Sequence, residues 1–139
     1  MKNLRILVVD DHEVVRRGLL ALLGTQAGWE VIGEAASGPD AVRKVAQTKP
    51  DVVIMDITMP VMSGLDATRL IMETVPQTKV LIFTMHDSEQ MMQTALEAGA
   101  RGYVLKSNAA SDLIAAIRAL AQGESPVMSR AVKHPPKII

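Results

Sequence analysis

The sequence predicts an α/β fold in which a parallel β-sheet is covered by helices on both faces. Three observations lead there. Short apolar runs recur five times along the 139 residues. Longer amphipathic stretches separate them. Most of the runs are apolar on successive residues, the pattern of strands covered on both sides. Such alternation implies parallel pairing through right-handed crossovers.

The elements follow in order. "LRILVV" (4–9) reads as the first strand, and "HEVVRRGLLALLG" as the first helix, with Val15, Leu19 and Leu22 on one face and Gly24 as its stop. "EVIGEA" (30–35) is the second strand. The second helix begins near "SGPDA", where Pro39 suits a first turn, and runs to Thr48. "VVIM" (52–55) is the third strand, and a third helix spans about 65 to 75, ending before Pro76. "VLIFT" (80–84) precedes a fourth helix, "DSEQMMQTALEAGA", where Asp87 and Gln90 have capping-box spacing and Gly99 marks the end. "GYVL" (102–105) and a helix of about 109 to 122, closed by Gly123, complete five βα units. From Glu124, "ESPVMSRAVKHPPKII" carries three prolines and no period, and reads as a tail or the start of a linker.

Composition excludes several classes. Fifteen basic and fifteen acidic side chains give zero formal net charge, so no long-range field draws the chain to nucleic acid or an anionic membrane. Arg130, Lys133 and Lys137 of the tail are too scattered to argue for DNA. With no cysteine there is neither a disulfide framework nor a thiolate metal site. No apolar run approaches the roughly 20 residues that span a bilayer. The start, "MKNLRILVVDD", meets acid too early for a secretory signal, which points to a cytoplasmic location. The nine methionines read as adaptable core filler.

Ligands of open parallel sheets bind outside the carboxyl ends of the strands. At those ends stand Asp10 and Asp11, Asp56, Thr84 and Lys106. Two like charges about 4 Å apart cost on the order of 4 kcal/mol at an effective dielectric near 20. A divalent cation removes that cost, and all-oxygen donors favour Mg²⁺. His12 and His86 lie near the same rim, but a carboxylate-rich Mg²⁺ site does not favour imidazole, so neither is counted as a ligand. Asp56 beside a cation and a hydroxyl is arranged to receive a phosphoryl group as nucleophile. Asp10 and Asp11 could serve as N-caps of the first helix, but capping alone leaves Asp56 and Lys106 unexplained.

"VVDDH" (8–12), "DVVIMDITMPVMSGLDA" (51–67), "VLIFTMHD" (80–87) and "AGARGYVLKS" (98–107) together resemble the receiver domain of bacterial two-component response regulators. The likeness covers about residues 4 to 123 and is nearest the NarL/FixJ (LuxR-type) subfamily, whose receivers precede a helix-turn-helix DNA-binding domain. It implies a flavodoxin-like (βα)5 fold with strand order 2-1-3-4-5 and a receiver domain over 1–123. Asp56 matches the phospho-acceptor, and Asp10 and Asp11 the acidic pair, with Asp11 the more direct Mg²⁺ ligand. Thr58 matches the position that gives a backbone carbonyl to the metal. Thr84 matches the switch hydroxyl, Lys106 the family lysine, and Tyr103 the switch aromatic, expected to turn inward on phosphorylation. The implied partner is a sensor histidine kinase that supplies the phosphoryl group, with homodimerisation on phosphorylation and DNA reached only through an output domain outside this chain. The resemblance implies a regulatory domain that catalyses only its own phosphorylation and dephosphorylation. Ser107 stands where many receivers carry proline.

Two rival classes are weaker. A phosphatase of the haloacid-dehalogenase type carries a second Asp two residues after its nucleophile, and here that residue is Thr58. A nucleotide or flavin module lacks its signal, because "VVDDHEVV" has no G-x-G-x-x-G and "DITMPVMSG" no P-loop.

Overall fold

The computed structural model describes residues 3–128. Strands and helices alternate as the sequence predicts: β1 (Leu4–Val9), α1 (Glu13–Leu23), β2 (Trp29–Ala35), α2 (Gly38–Thr48), β3 (Val52–Met55), α3 (Gly64–Thr74), β4 (Lys79–Thr84), α4 (Glu89–Glu97), β5 (Gly102–Leu105) and α5 (Ala110–Ala121). The strands pair in parallel in the order β2-β1-β3-β4-β5, the expected doubly wound arrangement. All strands therefore end on the same rim.

Period-2 alternation divides the central strands between two cores. Leu7, Val9, Val53, Met55, Val80, Ile82, Tyr103 and Leu105 join buried residues of α2, α3 and α4. Ile6, Val8, Val52, Ile54, Leu81 and Val104 join α1 and α5. A strand with core on both faces needs apolar side chains at every position, which is why "VVIM" and "GYVL" are buried throughout.

Local chemistry differs from expectation at four places. The side chain that caps α4 is Ser88, whose Oγ accepts from the Met91 amide at 3.2 Å. Asp87, expected in that role, lies one residue too early, because the chain leaves β4 through 85–87 before turning into the helix. Gly24 closes α1 in an ordinary right-handed conformation, whereas Gly99 (φ +108°) and Gly123 (φ +93°) take the left-handed one. The residues of α1 that are fully buried are Leu19 and Leu23, with Val15 and Leu22 packed at the edge. Finally, the stretch read as tail begins with a short strand, β6 (Val127–Met128), which extends the sheet beside β5. Two residues are too few for a periodic signal, and only the open edge of β5 makes this strand. The rest of that stretch, from residue 129, lies outside the described residues.

Close packing beneath the rim requires one glycine. A Cβ on Gly64 would stand 1.9 Å from the Asp56 carbonyl oxygen. The Gly64 amide also donates to Ile57 O at 2.7 Å, tying the start of α3 to the loop after Asp56. Gly64→Ala therefore displaces backbone, not a flexible side chain. It should cost about 2–3 kcal/mol, at the upper end of overpacking. Chemical denaturation checks this; a variant within about 0.5 kcal/mol of the parent contradicts the packing described.

Candidate functional site

The strand ends bring the expected residues together. Asp10 follows β1, Asp56 follows β3, and Lys106 follows β5. The Lys106 ammonium lies 2.7 Å from Asp10 Oδ2 and 3.2 Å from Asp56 Oδ2. Asp10 is 1% and Asp56 6% exposed, so both carboxylates have given up most of their hydration. Asp56 Oδ1 also accepts from the Ile57 amide at 2.8 Å. Asp10 Oδ1 accepts from the His12 amide at 2.8 Å, which turns the chain into α1.

Burial pushes the Asp56 carboxyl above the usual carboxylate range, Lys106 opposes this, and the Asp10 charge adds to it. For Lys106, burial pulls the ammonium down, but the bond to Asp10 and the charge of Asp56 outweigh it, and its pKa stands above the ordinary value.

Asp11 is less buried, yet its Oδ1 is shut off from solvent and has no hydrogen-bond partner. The ligand atoms of Asp10, Asp11, His12 and Asp56 all lie within 4.8 Å of one another. An orphaned carboxylate oxygen among other carboxylates is what an oxygen-seeking divalent cation satisfies, so these residues suit such an ion.

Thr84, Thr58 and Tyr103 converge on His86, which sequence reasoning placed near the rim and set aside as a metal ligand. His86 donates its amide to Thr84 Oγ1 at 3.2 Å, its Nε2 lies 2.8 Å from Thr58 Oγ1, and its carbonyl accepts from the Tyr103 hydroxyl at 2.6 Å. The one available signal was its place two residues beyond Thr84, at the same strand end. Tyr103 departs from expectation in one respect: it is already fully buried. Its ring lies in the larger core, and the His86 carbonyl satisfies the hydroxyl that burial would otherwise penalise. Burial, and secondarily the Asp87 charge, push the phenol up to about 12, so it stays a donor at any ordinary pH.

A family model described as the response regulator receiver domain matches residues 6–118. The chain belongs to this family. It is 43% identical over 123 residues to the response regulator protein VraR of Staphylococcus aureus, covering 88% of this chain and 59% of that protein. The chain thus spans about three-fifths of the length of that curated relative. A LuxR-family two-component response regulator from Aurantimonas sp. SI85-9A1 superposes with a TM-score of 0.90 at 40% identity, covering 94% of this chain and 93% of that one. This bears out the subfamily read from the sequence. A chain of the CheX–CheY–BeF3–Mg²⁺ complex from Borrelia burgdorferi superposes with a TM-score of 0.82 at 26% identity, over 86% and 90% of the two chains. The receiver is a signalling domain, the phospho-acceptor switch of a two-component system. Among the described residues no helix is long and apolar enough to cross a membrane.

The raised Asp56 pKa has a consequence for stability. A carboxyl whose folded pKa exceeds its unfolded value holds its proton more tightly when folded, so stability falls as pH rises through that window. Asp56→Asn removes the penalty. The variant should melt a few degrees above the parent at pH 7, with the difference fading below about pH 4, where an unfolded carboxyl is itself protonated. Thermal melts across that range test this; a variant that melts lower at pH 7 contradicts it.

Proposed function

We propose that Asp56 is the phospho-acceptor and that Lys106 and Thr84 bind the group it receives. The observation that carries this reading is the convergence of two buried carboxylates and one ammonium, from residues 10, 56 and 106, within 3.2 Å at the carboxyl rim. The phosphoryl donor is the phosphohistidine of a sensor kinase. An Asp56 carboxylate oxygen attacks phosphorus, the P–N bond breaks, and the electron pair leaves with the imidazole. Lys106, held beside Asp56, offers charge-assisted donors to the phosphoryl oxygens. Mg²⁺ is the cation that Asp11, Asp56, Asp10 and the Thr58 carbonyl would hold. When bound, it offsets the carboxylate charge and the negative charge developing on the transferring oxygens.

Phosphorylation adds roughly −1.5 to −2 charge at Asp56. Thr84 Oγ1 already accepts from the His86 amide, so its hydroxyl proton can be donated to a phosphoryl oxygen. Movement of Thr84 pulls on His86, and through the His86 carbonyl on Tyr103. Because Tyr103 starts buried, the relay shifts an inward ring and its hydrogen bond and does not draw an outward ring in. The response is displayed by α4, β5 and α5. Homodimerisation on phosphorylation is part of this proposal. Transcriptional output runs through a helix-turn-helix domain beyond these 139 residues, and the location is cytoplasmic.

Acetyl phosphate with Mg²⁺ should add the mass of one phosphoryl group to the intact chain, and omission of Mg²⁺ or Asp56→Asn should abolish the gain. A gain retained in that variant would falsify the assignment.

Lys106→Ala leaves Asp10 and Asp56 without their shared counter-charge, at a cost of about 3 kcal/mol. Mg²⁺ should recover part of this cost, and the phosphorylation rate should fall at least tenfold. A variant phosphorylated at the parent rate removes Lys106 from the mechanism.

The relay is read by amide NMR with beryllofluoride. Shifts should reach 84–92 and 102–110 and weaken in Thr84→Ala. Shifts confined to residues 10, 11 and 56–60 would leave Asp56 as acceptor and rule out the relay.

A further inference from the structure

One side chain at the rim differs in kind from the rest. His12 Nδ1 lies 3.1 Å from Asp10 Oδ1 and 3.1 Å from Asp11 Oδ1. The two sides of the cluster are differently occupied. Lys106 takes the Oδ2 atoms of Asp10 and Asp56, while the Oδ1 atoms of Asp10 and Asp11 turn toward the imidazole. Nδ1 carries at most one proton, which cannot serve both oxygens. Asp11 Oδ1 is the one left buried without a hydrogen bond.

We propose that His12 is a ligand, through Nδ1, for a divalent transition-metal ion of the Zn²⁺ class, together with Asp10, Asp11 and Asp56. The proposal rests on reading the rim as a cation site and adds a nitrogen donor to it. Metal–ligand bonds to imidazole and carboxylate are about 2.0–2.2 Å, so neighbouring ligand atoms of a tetrahedral or octahedral shell stand about 2.9–3.5 Å apart. The two 3.1 Å separations fall inside that range, and all four ligand atoms lie within 4.8 Å of one another, so a small closure completes the shell. The imidazole is two-thirds exposed at its outer side, which leaves it room to turn its ring lone pair onto an ion. All-oxygen surroundings suit Mg²⁺, whereas an imidazole among carboxylates suits Zn²⁺, Ni²⁺ or Cu²⁺, which also stand higher in intrinsic affinity. The sequence argument set both histidines aside by reasoning from the oxygen donors. The geometry separates them: His12 faces the carboxylates, while the imidazole of His86 is engaged with Thr58.

The experiment needs no phosphoryl donor, so it succeeds or fails independently of the acceptor assignment. The full chain is titrated with ZnCl2 and with MgCl2 by calorimetry, and the imidazole nitrogens are followed by NMR during the Zn²⁺ titration. Zn²⁺ should bind at the rim at least tenfold more tightly than Mg²⁺ and shift the His12 Nδ1 resonance. His12→Asn should weaken Zn²⁺ at least tenfold and lower the ratio of Zn²⁺ to Mg²⁺ affinity. An unmoved His12 resonance while Zn²⁺ binds overturns the proposal. So does a shift at His86 or at His134 in place of His12, or an affinity ratio unchanged in His12→Asn. The NMR arm uses the parent chain and does not depend on the variant folding.

Discussion

The structure depends on holding two carboxylates in one buried place. Asp10 and Asp56 have lost most of their water, and the Asp10 charge penalises that of Asp56. Lys106 makes this tolerable by standing 2.7 and 3.2 Å from them. Burial works against the charged forms of Asp56 and Lys106, so neither is settled alone. Asp56 is left with its carboxyl above the usual range, while Lys106 is pulled above its own. The raised Asp56 carboxyl is a standing cost to the fold, and it is also what makes the rim receptive to added positive charge. A cation that arrives there relieves repulsion that the chain already carries.

The sheet supplies the rigidity that this arrangement needs. Residues 10, 56 and 106 are brought together by three strands that run in parallel and end on one rim. Strands packed on both faces cannot shift register without moving a whole row of side chains into the wrong core. The relay proposed above lies instead in the loop after β4. There His86 joins Thr84 and Tyr103 through its main chain and Thr58 through its ring. Substitution of the His86 side chain would leave the first two bonds in place, so the proposed relay and the link to Thr58 are separable.

Much of this was legible in the sequence because its signals are local. Alternating apolar runs and amphipathic stretches define βα units through periodicities of 2 and 3.6 residues. A parallel sheet then forces the last residue of each strand to one edge, so Asp10, Asp56, Thr84 and Lys106 could be assembled without coordinates. The capping of α4 was misplaced by one residue, since Asp87 and Ser88 both have capping side chains and only the exit path from β4 selects the second. Strand β6 was not legible either, because two residues pair only where β5 offers a free edge.

What the sequence by itself determined is the order of elements, the parallel sheet and the set of acids, hydroxyl and ammonium at its rim. These follow from chain-local periodicity and from a rule about strand ends. The tertiary structure alone decided which oxygen meets which cation, that Asp11 Oδ1 is left without a hydrogen bond, and that Tyr103 starts buried. It also decided that His12 faces the carboxylates while His86 faces Thr58. Those outcomes turn on side-chain directions and separations of about 3 Å, whether between residues far apart in the chain, as for Asp56 and Lys106, or between neighbours, as for His12 and Asp11. No periodicity encodes them, because they are set by how the loops pack once the sheet has formed.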